Sequence, residues 1–202
     1  MTAGAAPAIA FTFDDIEVGA RLVTALLAHV AAAPAAPIDY AALLGRARAM
    51  YPRDATLGRA VALGIGPKLL LVARFCQQHG YPNLAALAVH PVTGRPGPHA
   101  AGDPDQGAFA MVDWSLAPSR LAADVKAWRA AVPARLKPRA ERPADVAWYA
   151  WFRTHRADCA PVTAAGKQEI INLVMAGLDP ETALGRVLAA QPVYGEAPGP
   201  GI

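Results

Sequence analysis

The sequence predicts a mainly α-helical protein with a small β-hairpin. Three observations lead there. Apolar residues recur every three or four positions through most of the 202-residue chain. Helix punctuation divides those stretches: Asp or Thr ahead of them, Gly or Pro behind. Alternating apolar patterns are confined to one central region, residues 84–114.

In chain order, residues 1–10 read as a loose arm. Asp14 or Asp15 starts a helix running to about Ala33, with Ile16, Leu22, Val23, Leu26 and Val30 on one face; Pro34 ends it. Asp39 caps a second helix, Tyr40 to Met50, which stops before Pro52. Asp54 or Thr56 caps a short third helix, Leu57 to Leu63. Gly64-Ile65-Gly66-Pro67 then leads into a fourth, Lys68 to His79. Its inward face is Leu69, Leu70, Val72, Phe75 and Cys76. Lys68, Arg74, Gln77 and Gln78 are expected to face out, and Gly80 suits the C-terminal end.

Leu84 to His90 reads as a strand, residues 97–107 as a loop and Ala108 to Trp114 as the return strand. Ser115 to Val132 is a helix, followed by the proline- and arginine-rich linker 133–143. Asp145 caps a helix from Val146 to His155, and Thr163 another from Ala164 to Ala176. Asp179-Pro180 opens the last, running to about Ala190. These elements suggest a helical domain with the hairpin (1–116), a basic helical region packed on it (117–190) and a disordered tail (191–202).

The net charge of +3 hides an uneven distribution. Residues 1–116 carry eight basic and eight acidic side chains, residues 117–156 nine and three, and residues 157–202 two and five. A basic middle beside an acidic tail suits an anion-binding face or an internal electrostatic match. Cys76 and Cys159 stand apart, outside any zinc-like spacing. They read as buried thiols in a reducing cytoplasm. The segment before Asp14 lacks the basic start of a secretory leader, and no run is long and apolar enough to span a membrane.

The order helix, helix, helix, hairpin is that of a winged helix, whose third helix enters the DNA major groove. Three segments within 39–97 resemble the DNA-binding half of alkyltransferase-like proteins. Asp39-Tyr40-Ala41-Ala42-Leu43 resembles their "Tyr-Gly-x-Ile" helix, and Leu57-Gly58-Arg59-Ala60-Val61 their "Val-Gly-x-Ala" helix. Ala86 to His90 with Gly94 resembles their strand and wing. The likeness covers under a third of the chain. It implies a winged-helix-like core but no transferase activity, because Tyr81-Pro82-Asn83-Leu84 stands where the family has Pro-Cys-His-Arg.

The basic middle supplies the candidate nucleic-acid-binding residues: Lys126, Arg129, Arg135, Lys137, Arg139, Arg142, Arg153 and Arg156, with Trp148 to stack on bases. Other patterns carry competing readings. Gly64 to Lys68 invites a phosphate loop but lacks the spacing and the preceding strand, and a helix–helix corner fits better. Glu169 to Ala189 has helix-turn-helix form. Its second helix sets only Arg186 against Asp179 and Glu181, which favours a packed helical hairpin. His90, His99, Asp103, Asp105 and Asp113 gather near the hairpin, where a metal-dependent hydrolase would place them. No cofactor signature and no Ser/His/Asp motif is present. The functional expectation is a non-enzymatic cytoplasmic protein that binds DNA or RNA through the basic segment. The alternative is a protein-interaction module (an inhibitor, immunity or accessory subunit), and the third reading is the hydrolase.

Overall fold

The computed structural model describes residues 11–34, 36–98, 107–133 and 139–194. The expected arm (1–10), most of the loop 97–107, the core of the linker 133–143 and residues 195–202 of the expected tail lie outside those residues.

Eight α-helices and one two-stranded parallel sheet form the described fold. The first helix, α1 (Phe13–Ala32), is capped by Thr12 rather than by either aspartate. The Asp15 N–H donates to Thr12 Oγ1 (3.1 Å), and the Thr12 N–H donates to Asp15 Oδ2 (3.0 Å). This reciprocal box satisfies two of the helix's orphan donors. Strand β1 (Ile38–Asp39) leads directly into α2 (Tyr40–Met50), where Asp39 caps as expected. Helix α3 (Ala55–Arg59), capped by Asp54, is shorter than the reading Leu57 to Leu63; a 3₁₀ turn, Ala62–Gly64, follows it. Helix α4 (Ile65–His79) ends at Gly80, whose φ of 68° is the left-handed conformation that glycine adopts without strain.

The predicted strand Leu84 to His90 is only partly extended. Leu84–Leu87 is a 3₁₀ turn with every residue buried, so its alternation records burial on all sides rather than a pleat. Only β2 (Ala88–Val89) is a strand. It pairs in parallel with β1, Ile38 against Ala88 and Asp39 against Val89. The return strand at 108–114 does not form. Residues 107–110 make a turn that buries Phe109. The hairpin reduces to a tight turn closed by an antiparallel bridge between Val89 and Pro96.

Helix α5 (Ala117–Ala131) packs on α1. Helix α6 (Glu141–Phe152) starts earlier than its expected Asp145 cap, because Ala140 and Glu141 already turn into it. Helix α7 (Ala164–Met175) is capped by Thr163, and α8 (Pro180–Tyr194) extends past its expected end through Pro192. Helices α7 and α8 pack on each other as the helical hairpin reading expects.

Two large apolar clusters and a small third one, Phe11, Ile16 and Leu71, fill the described part of the molecule. One joins α1, α2 and α4 around Leu22, Leu26, Tyr40, Leu43, Leu69 and Phe75. The other joins α6, α7 and α8 around Trp148, Ile170, Val174, Leu184 and Val187. Tyr194 packs against both. Burying such side chains supplies roughly 1.5–3 kcal/mol each and dominates the stability. Among the described residues no helix is long and apolar enough to cross a membrane.

Candidate functional site

Lys68 is the main departure from the sequence reading. It was expected to face solvent, yet it is 5% exposed. Positions 68, 72 and 75 share one face of α4, and that face is the one against α1. The ammonium stands 3.2 Å from Asp15 Oδ1 on α1 and 3.3 Å from Glu169 Oε1 on α7, both carboxylates being buried. Asn172, one turn along α7, donates from Nδ2 to Glu169 Oε2 (3.2 Å) and to the carbonyl oxygen of Arg59 (3.1 Å). Three elements are thus tied through one cation. Burial pulls the Lys68 pKa down, but Glu169 and Asp15 together push it further up, and the net shift is upward. The lysine stays charged.

Asp14 completes the group. Burial raises its pKa to about 6; Lys68 and Arg59 pull it down, while Asp15 and Glu169 push it up. A carboxyl that titrates near neutrality inside a charged cluster is a feature shared with functional sites. The start of α4 also settles how Gly64 and Gly66 are used. A Cβ on Gly64 would collide with the Glu169 carboxylate, and one on Gly66 would come within 2.7 Å of the Tyr194 ring. The anion beside this helix N-terminus is therefore the protein's own glutamate. It suits the positive end of the helix dipole and leaves the phosphate-loop reading without room.

A cavity of about 480 Å³ opens next to this network, its wall mostly apolar and including the Asp15 and Glu169 side chains.

The nine residues of the basic segment are placed less uniformly. Lys126 and Arg129 sit exposed on α5, beside the first cluster, and Arg129 forks onto Glu17 at 2.5 and 2.6 Å. Arg135 and Lys137 lie outside the described residues. Arg139, Arg142, Arg153 and Arg156 are exposed in and around α6, beside the second cluster. Trp148 is 4% exposed and stacks on Trp151 within that core, so the expectation that it stacks on bases is corrected. The exposed aromatic is its neighbour Tyr149, at 60%. Arg142, Val146, Tyr149 and Arg153 follow one another at spacings of four, three and four, a single outward stripe of α6 about 16 Å long at 1.5 Å per residue. Glu141 and Asp145 are exposed on the adjoining row of the helix, beside this stripe. Beside it lies a second cleft of about 290 Å³, lined by Trp148, Tyr149, Phe152, Cys159 and Val162, with Asp145 and Lys167 also on its wall.

The residues gathered for the hydrolase reading are mostly beyond comparison: His99, Asp103 and Asp105 lie outside the described residues. His90 Nδ1 accepts from the N–H groups of Val92 and Thr93, and Asp113 Oδ1 accepts from the Ser115 N–H. Among the described residues no group of three His, Cys, Asp or Glu is placed to hold a metal. Cys76 and His79 do not meet as a dyad. The thiol accepts from the Leu84 N–H and burial pushes its pKa up to about 12, while His79 Nε2 lies 2.7 Å from Asp124 Oδ2.

The sequence reading missed the Asp15–Lys68–Glu169–Asn172 network. The available signal was a lone charge inside an apolar run, in IGPKLLLVA and again in EIINLVM, falling on the helix face that also carries the large apolar residues. No family model matches this chain, and no curated protein or solved structure matches it.

Proposed function

We propose that this chain is a protein-interaction module whose contact face is the outward side of α6. The observation that carries the reading is the aromatic cleft beside an exposed Tyr149, flanked by Val146 and by Arg142 and Arg153. Tyr and Arg are the residue types that concentrate binding energy at protein interfaces, and a pocket that accepts one apolar side chain is the usual anchor. Asp145 and Lys167 at the cleft offer charge of both signs, which favours a polar-rimmed protein contact over a uniform phosphate track.

The nucleic-acid reading keeps one supporting observation. Among the described residues Arg142, Arg153 and Arg156 make no side-chain ion pair, so their charge is free for phosphates.

One experiment separates the two. A photo-crosslinking amino acid is placed at Val146 and, as a control, at Val92, which is equally exposed in a distant turn. After irradiation in a cell extract of the source organism, the reading expects a discrete adduct at position 146 only. That adduct resists nuclease and disappears with Tyr149→Ala. A nuclease-sensitive adduct instead establishes the nucleic-acid reading. Identical patterns at 146 and 92 remove α6 as a contact face.

A further inference from the structure

The cavity beside Lys68 shares no lining residue with the α6 cleft and asks for a different ligand. It measures about 480 Å³, within the range of small-molecule sites. Phe11, Leu70, Leu173 and Tyr194 give it apolar walls, and Asp15 and Glu169, both buried, are the two acidic residues of its lining. We propose that it binds a small molecule with an apolar body and one protonated amine, the ammonium group meeting these two carboxylates.

The sign of the charge follows from the surroundings. Asp14, Asp15 and Glu169 are three acids grouped around Lys68 and Arg59, two bases, so the fully ionised cluster is one negative charge in excess. The Lys68 ammonium is already enclosed by Asp15 and Glu169, and an anionic head entering the cavity would face those carboxylates first. A cation shares them instead. Arg186 also lines the cavity but is exposed, so its charge is screened by water and does not set the preference at the buried end. The apolar walls favour a hydrocarbon or aromatic body over a hydrated one.

The test uses the full chain and three probes of one length: n-octylammonium, octanoate and 1-octanol, each below its aggregation threshold, followed by titration calorimetry. The expected result is a single saturable site for octylammonium, at least ten-fold tighter than for octanoate. Ala189→Trp adds a bulky ring at an exposed position of α8 that lines the cavity. It should leave the melting temperature unchanged and weaken octylammonium at least ten-fold. Octanoate binding as tightly as octylammonium overturns the proposal. So does the absence of saturable octylammonium binding, or an Ala189→Trp chain that folds and binds like the wild type.

Discussion

The carboxylate of Glu169 occupies the space that a side chain on Gly64 would need. The two residues lie 105 positions apart, on α7 and just ahead of α4. Their contact lets Lys68 reach a second acid, so a backbone position without a Cβ determines whether the buried cation is fully paired.

Gly64→Ala should therefore act through the charge network as well as through crowding. The added methyl meets a carboxylate that cannot move without leaving Lys68, and overpacking of this kind costs about 2 kcal/mol or more. Glu169→Asp, which withdraws the carboxylate by one methylene, should offset part of the loss in the double variant. Urea unfolding of the two single variants and the double one measures this coupling.

Lys68→Met removes the buried cation between Asp15 and Glu169 and leaves both acids without that counter-ion. Breaking one side of a buried ion pair costs roughly 3–5 kcal/mol. Adding Asp15→Asn and Glu169→Gln should recover much of that, because two neutral amides beside a methionine need no counter-ion. Recovery is read from denaturant midpoints. A triple variant no more stable than Lys68→Met alone would show that packing, not charge, is the function of this lysine.

Asp14 gives a pH dependence of definite sign. Its pKa is raised from 3.8 in the unfolded chain to about 6 in the fold, so the folded state holds the proton more tightly. The contribution of this group to stability is greatest below about pH 4, falls as pH rises towards 6 and is lost above it. Asp14→Asn should gain on the order of 2 kcal/mol over the wild type at pH 7.5 and little at pH 3.5. Chemical unfolding of both chains at the two pH values tests it, and an equal difference at both contradicts the assignment.

Adjacent residues on α6 should behave oppositely. Trp148→Ala empties a site in the second core cluster, with an expected loss of about 3–5 kcal/mol. Tyr149→Ala removes a side chain that is mostly in solvent and should stay within about 0.5 kcal/mol of wild type. The second variant is therefore the one that reports on binding without a change in folding, and thermal unfolding of the pair checks this before any partner assay.

Helix positions were legible because their signals are local. Asp39, Asp54 and Thr163 each accept a backbone N–H at the start of the helix they were expected to cap. What failed depended on partners distant in sequence. Leu84 to Leu87 alternates like a strand, but its surroundings bury both sides, and the partner of β2 is Ile38–Asp39 rather than the next apolar run. Lys68 looked exposed because a lysine usually is, and only the packing of α1 and α7 on α4 supplies the two acids that let it be buried. Tryptophan beside arginine suggested a stacking surface, yet helix periodicity turns Trp148 inward and Tyr149 out.

The pairing of β1 with β2 has a kinetic consequence. A hairpin between 84–90 and 108–114 could have zipped from its own turn. Two parallel segments separated by α2, α3 and α4 can meet only when the intervening chain has already been brought into place. Weakening Ile38 or Ala88 should therefore leave the refolding rate nearly unchanged and accelerate unfolding, the behaviour of a contact made after the rate-limiting step.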